Sequence, residues 1–140
     1  MKTICVIDGQ GGGIGSLIIR KLKESFGESV TVIALGTNAV ATAQMLKAGA
    51  NKGASGENAI ARTVQHADFI IGTIAIVLAH AMMGEVTPKA AEAVAGSPAK
   101  KLLLPLSQEN VEMVGGQGLP LPRLVEELVT KHLAALSNKE

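Results

Sequence analysis

The stretch Lys2–Gly15, KTICVIDGQGGGIG, decides the fold of this chain. Its first part, KTICVID, is short, apolar and rich in β-branched side chains, which predicts a buried strand. Five glycines follow between Gly9 and Gly15. Apolar residues then recur at helical spacing, and Gly27 is suited to end the helix that they predict. The stretch is therefore a strand, a glycine-rich turn and a helix in succession.

The same alternation of strand and helix continues along the chain. Further strands are predicted at Ser29–Leu35, residues 51–55, Asp68–Gly72, Lys100–Leu106 and, as a short sixth strand, Val111–Val114. Helices are predicted at Ala39–Ala48, Glu57–Gln65, Ile74–Met83, after Thr87-Pro88, and from Pro122 to Leu136. Connections of this length allow right-handed crossovers between parallel strands. We predict an α/β fold: a single Rossmann-like domain over residues 1–140 with a doubly wound, mostly parallel sheet of about five or six strands.

Composition excludes several classes of function. The 13 basic and 12 acidic residues give a net charge of +1, and no basic run stands out, so we expect no nucleic-acid partner. The most apolar segment, Thr73–Met83, is too short to span a bilayer, and Asp8 interrupts the N-terminal apolar run, so we expect no membrane partner or signal peptide. The single cysteine, Cys5, fits a reducing compartment. We expect a cytoplasmic protein.

The glycine-rich turn has the features of a phosphate-binding loop. Glycine tolerates the dihedrals of a sharp reversal, leaves room for close approach of a phosphate, and is followed here by a helix N-terminus that attracts anions. The turn is therefore predicted to bind a phosphate of a nucleotide or dinucleotide. The residues predicted to contact the ligand are Asp8, Gly9, Gln10, Gly11, Gly12, Gly13, Ile14 and Gly15. A glycine-rich turn that binds nothing is the structural alternative.

Small polar residues follow the other predicted strands, where a ligand lies in a doubly wound sheet. They are Gly36, Thr37 and Asn38 after the second strand, Ser55 after the third, Gly72 and Thr73 after the fourth, and Ser107 after the fifth. The end of the second strand lacks both the acidic residue typical of NAD sites and an arginine typical of NADP sites. The cofactor therefore stays open between NAD, NADP and a mononucleotide.

No catalytic or metal-binding constellation is evident. Cys5 is expected to be buried and inert. The three histidines, His66, His80 and His132, show no metal-ligand spacing, and His132 is expected on the apolar stripe of the last helix. We therefore predict no metal site and leave catalytic residues unassigned.

The spacing of Gly9, Gly13 and Gly15, G-x-x-x-G-x-G, resembles the cofactor loop of the short-chain dehydrogenase/reductase family. This resemblance covers about the first 20 residues. It implies a dinucleotide cofactor, but Asp8 replaces the usual threonine, and the chain has no tyrosine for that family's mechanism.

Four longer stretches together resemble a family of short bacterial proteins that form a domain of unknown function. They are VIDGQGGGIG, ASGENAI (Ala54–Ile60), IGTIAIVLAHAMMGEVTP (Ile71–Pro88) and KKLLLPLSQEN (Lys100–Asn110). The resemblance implies a stand-alone Rossmann-like domain. Because Ser55, Glu57 and Asn58 fall in one of these stretches, they are added as candidate site residues.

Three hypotheses about function follow. The chain is a nucleotide-binding or sensing module, a small NAD(P)-dependent oxidoreductase that works as an oligomer, or a structural and interaction protein whose glycine loop binds nothing. Self-association is expected through Thr73–Met83, because a helix that is apolar on most sides is buried or lies at an interface.

Overall fold

A computed structural model describes residues 1–106, 108, 110–115 and 118–137. The strands are β1 (Lys2–Asp8), β2 (Val30–Gly36), β3 (Lys52–Ser55), β4 (Phe69–Thr73) and β5 (Lys100–Leu104). The α-helices are α1 (Gly13–Phe26), α2 (Ala39–Lys47), α3 (Glu57–Thr63), α4 (Pro88–Gly96), α5 (Leu121–Glu127) and α6 (Ala134–Ser137). The predicted alternation of strands and helices, and with it the α/β fold class, is confirmed.

The strands form one parallel sheet in the order β3-β2-β1-β4-β5. β2 and β3 follow β1 on one side of the sheet, and β4 then pairs with the other side of β1. The carboxyl ends of β1 and β4 therefore lie side by side at the point where the winding reverses, which is where open α/β sheets bind ligands. The glycine-rich turn follows β1 at this point.

Helices cover both faces of the sheet. On one face, α1, α2 and the C-terminal helices enclose a core that includes Ile4, Ile18 and Leu22. On the other, α3 and α4 pack over a second core that includes Cys5, Ile60 and Ile70. Because β1 is buried on both faces, its side chains are apolar at successive positions instead of alternating with polar ones.

The predicted helix at Ile74–Met83 is wrong. A single 3-10 turn covers Ile74–Val77, and the chain then folds into tight turns up to α4. His80, Met82 and Met83 have positive φ angles of 72°, 58° and 57°, which an α-helix cannot contain. Two hydrogen bonds of Val86 hold the turns: its carbonyl accepts the His80 N–H at 2.6 Å, and its N–H donates to the Ala81 carbonyl at 3.1 Å.

The C-terminal part also departs from expectation. The predicted strand at Val111–Val114 is wrong: Val111 forms only an isolated antiparallel bridge with Gln108. The last helix is interrupted by a π-helical turn at Leu128–His132, which adds one residue to the turn. Leu133 is consequently buried, and His132, expected on the apolar stripe, is exposed.

Self-association through Thr73–Met83 stays a prediction. Part of the segment is already used inside the domain, since Ala75 and Ile76 are buried, while the side chain of Met83 is fully exposed. Light scattering on the protein in solution would decide it. Among the described residues, no helix is both long and apolar enough to cross a bilayer.

Candidate functional site

The glycine loop is held in shape by the carboxylate of Asp8. Its Oδ1 accepts the N–H of Gly9 and its Oδ2 accepts the N–H of Gly15, both at 2.7 Å. The Gly12 N–H closes the turn on the Gly9 carbonyl at 2.9 Å. Burial raises the pKa of Asp8 above its usual value, although the loop N–H groups oppose that shift. Asp8 therefore works as a buried brace that joins the end of β1 to the first turn of α1.

The five glycines of the loop fall into two sets. A Cβ on Gly9, Gly12 or Gly15 would meet protein atoms within 3 Å, and Gly12 also has a φ of 74°. These three are needed for packing or for backbone conformation. In contrast, a Cβ on Gly11 or Gly13 would meet nothing within 4 Å, and neither residue has a left-handed φ. Packing in the described part of the chain therefore does not require glycine at these two positions.

The residues after β2 are bonded directly to the glycine loop. The Thr37 N–H donates to the Asp8 carbonyl at 3.0 Å. The Asn38 side-chain amide donates to the Gln10 carbonyl at 3.1 Å, and its Oδ1 accepts the Ala41 N–H as the N-cap of α2. Gly36 is packed closely, because a Cβ there would lie 2.2 Å from the Thr42 hydroxyl. The structure thus brings the predicted residues after β1 and β2 into one continuous edge.

Glu85 is the residue of this edge that sequence reasoning missed. Its Oε1 accepts the Gln10 N–H at 2.8 Å, the Thr37 hydroxyl at 2.6 Å and the Asn38 amide at 3.0 Å. These donors lower the pKa of Glu85, with the Gln10 N–H as the largest cause. Glu85 is therefore an ionised carboxylate that bridges the glycine loop and the end of β2.

The tight turns between β4 and α4 place Glu85. The Glu85 N–H donates to the Met82 carbonyl at 3.1 Å, and the Gly84 N–H donates to the His80 carbonyl at 3.0 Å. One sequence signal pointed to this residue: an acidic side chain between β4 and the next helix lies at the carboxyl edge of a parallel sheet. The assumed helix over Ile74–Met83 concealed it.

Other predicted site residues make contacts away from the loop. The Ser55 hydroxyl donates to Thr42, and Glu57 accepts a hydrogen bond from the Thr87 hydroxyl at the start of α4. Asn58 is exposed in the first turn of α3. None of these three has a described hydrogen bond to the glycine loop.

Gly72 and Thr73 end β4 beside the loop, but both are buried. A Cβ on Gly72 would lie 2.9 Å from the Ile7 carbonyl, and Thr73 caps the following 3-10 turn by accepting the Ala75 N–H. Their contacts explain them as packing and capping residues. Ser107 lies outside the described residues.

An open cleft of about 810 Å³ is lined by the turns that precede Glu85. It separates residues 77–84 from the segment after β5, and its polar lining includes His80, Gln108 and Asn110. Met82 links the two places, because it lines the cleft and its sulfur lies 2.7 Å from the position of a Cβ on Gly9.

Two further expectations concern reactive groups. Cys5 is buried as predicted, and burial raises the pKa of its thiol to about 11, so the thiolate is scarce at neutral pH. Among the residues with described positions, no group of three or more His, Cys, Asp or Glu side chains is arranged to hold a metal ion.

The strand order and the glycine turn after β1 define the class: a parallel, doubly wound α/β domain of Rossmann-like architecture. The chain belongs to the family described as the domain of unknown function DUF3842, whose family model matches residues 3–137. No curated protein and no solved structure matches it.

Proposed function

We propose that this protein binds a nucleotide or dinucleotide of NAD(P) type, with a phosphate on the glycine loop between β1 and α1. The proposal rests on Gly11 and Gly13, because no packing contact in the described part of the protein requires glycine at either position. Both are exposed, and their N–H groups donate no hydrogen bond within the described residues. A ligand that approaches the backbone closely would require glycine at both positions.

The phosphate would lie in front of α1. This helix has 14 residues and no acidic side chain in its own first turn, and although the Asp8 carboxylate accepts the Gly15 N–H, the free N–H groups at its N-terminus keep a partial positive charge. Asp8 uses the N–H of Gly15, which leaves the N–H groups of Gly11 and Gly13 for the anion. The nucleoside would then extend over Gly36, Thr37 and Asn38, the residues that the structure joins to the loop.

The cleft lined by residues 77–84 favours a ligand that extends beyond the glycine loop, as a dinucleotide does. It adjoins the glycine loop through Met82 and lies towards β4 and β5, the side on which the second half of a dinucleotide extends from the switch point. This position supports NAD or NADP over a mononucleotide. The proposal is for binding, and the described residues of the site contain no set of side chains from which a reaction can be assigned.

Gly13→Ala is expected to weaken binding while preserving the fold. Cβ atoms of a helix point towards its N-terminus, so a methyl group at the first position of α1 enters the space proposed for the phosphate. We expect affinity for the bound nucleotide to fall about tenfold, or ~1.4 kcal/mol. Stability is expected to stay equal or to rise by about 0.5 kcal/mol, because alanine restricts the unfolded chain.

The experiment uses titration calorimetry after a dye-based thermal-shift panel of NAD, NADP, ATP, GTP and AMP. Gly96→Ala is the matched control, because Gly96 also lies in a helix and a Cβ added there would also meet nothing within 4 Å. It should leave affinity unchanged. Equal nucleotide affinity in the wild type and Gly13→Ala would contradict the proposal.

A structural role for the loop is the second candidate, and specific contacts favour it. Gly9, Gly12 and Gly15 have packing roles, and the carboxylates of Asp8 and Glu85 already accept three loop N–H groups. A flat thermal-shift panel on folded protein would support this candidate. In that case, alanine at Gly11 or Gly13 should cause no loss of function in cells.

A further inference from the structure

We propose that Glu85 recognises the ribose hydroxyls of the bound nucleotide and selects an unphosphorylated ribose, so that the ligand is of NAD type and not NADP type. This inference rests on the proposed function. It assigns to Glu85, a residue of the β4–α4 connection, the recognition of ribose hydroxyls that an acidic residue after β2 ordinarily performs.

The two oxygens of the Glu85 carboxylate differ in their surroundings. Oε1 takes all three hydrogen bonds, from Gln10, Thr37 and Asn38. Oε2 accepts no hydrogen bond from the described residues, and the side chain is only partly buried. The carboxylate is thus fixed in orientation through one oxygen, while the lone pairs of the other are available to hydroxyl donors.

The position of Glu85 matches the place of a ribose. When a phosphate lies at the start of α1, the ribose falls between the ends of β1 and β2, where an acidic side chain after β2 ordinarily bonds its hydroxyls. Here Thr37 and Asn38 stand after β2, and both donate to Glu85 instead. The chain therefore brings the carboxylate to this place from another connection.

Charge around the site disfavours a phosphate on the ribose. No lysine or arginine occurs in residues 8–19, 36–46, 53–61 or 69–88, which contain the carboxyl ends of the first four strands. A 2′-phosphate beside the ionised Glu85 would therefore find no lysine or arginine within these segments to compensate it. Repulsion between the carboxylate and a 2′-phosphate disfavours NADP, whereas the ribose of NAD offers two hydroxyl donors.

The test measures the dissociation constants of NAD and NADP for the wild type and for Glu85→Gln. This variant keeps an acceptor oxygen for Gln10, Thr37 and Asn38 but removes the charge and one acceptor. We expect the wild type to bind NAD at least about tenfold more tightly than NADP. In Glu85→Gln, affinity for NAD should fall about tenfold, and affinity for NADP should rise because the repulsion is removed, so that the preference disappears or reverses.

Glu92→Gln, an equivalent change at an exposed position of α4, is the control and should leave both constants unchanged. A comparison of AMP with its 2′-deoxy analogue on the wild type needs no variant, and the analogue should bind about tenfold less tightly.

The outcomes separate the two proposals. If the wild type binds NAD and NADP equally, or Glu85→Gln keeps the preference, the role of Glu85 is overturned while phosphate binding at Gly13 stands. If no nucleotide binds the wild type, both fail.

Discussion

Gly12→Ala is expected to lower the free energy of unfolding by about 3 kcal/mol. Gly12 has a φ of 74°, and this left-handed conformation costs a residue with a Cβ about 1–2 kcal/mol. The new Cβ would also lie 2.8 Å from the carbonyl oxygen of Ala41 and 2.9 Å from its Cα. Because these are backbone atoms, the loop or α2 must shift, and overpacking of this kind costs about 1–3 kcal/mol.

Urea unfolding followed by far-ultraviolet circular dichroism measures this loss, since the chain has no tryptophan. Gly13→Ala, one residue further on, is the matched control because a Cβ there meets nothing within 4 Å. The two substitutions should therefore differ by about 3 kcal/mol in stability. Equal stabilities would mean that the loop conformation around Gly12 is different from the one described.

Asp8→Asn is expected to lower the free energy of unfolding by about 2 kcal/mol at neutral pH. Both oxygens of Asp8 accept loop N–H groups, whereas asparagine offers one oxygen and places an NH₂ against the other donor. A buried N–H without an acceptor costs about 1–3 kcal/mol. Asp68→Asn is the control, since Asp68 is exposed and accepts the N–H of Thr3 near the protein surface.

The loss of stability caused by Asp8→Asn is expected to depend on pH. Burial raises the pKa of Asp8 in the folded protein above its ordinary value of 3.8. The folded state therefore binds the proton more tightly than the unfolded state, and protonation stabilises the wild type as pH falls towards 3.8. The stability difference between the wild type and Asp8→Asn should widen over that range. A difference that narrows would contradict a raised pKa.

The sheet could be predicted from the sequence because its signals are local. Each of the runs KTICVID and DFIIG is short, apolar and followed by a glycine or polar residue, which marks a buried strand and its turn. The segment after β4 shows where local signals fail. Its apolar residues favour a helix, but contacts of Glu85 with Gln10 and Thr37, distant in sequence, accompany left-handed turns at His80 and Met82.

The candidate site was predictable in part for the same reason. The glycine turn and the N-cap at Asn38 follow directly from residue type and position. Which of the glycines are required by packing could not be predicted, because the neighbours of Gly9 include Thr37, Met82 and Glu85 from three different parts of the chain. The π-helical turn that buries Leu133 in place of His132 also has no signal in the apolar spacing of the last helix.

The central place of β1 has a consequence for synthesis of the chain. One edge of β1 finds its partner in β2 once residue 36 has been made, but the other edge pairs with Phe69–Ile71 of β4. Until that segment leaves the ribosome, the backbone N–H and C=O groups along this edge of Ile4, Cys5 and Val6 are open to pairing with other nascent chains. The synthesis of residues 37–71 is therefore an interval in which a growing chain is exposed to edge-to-edge pairing.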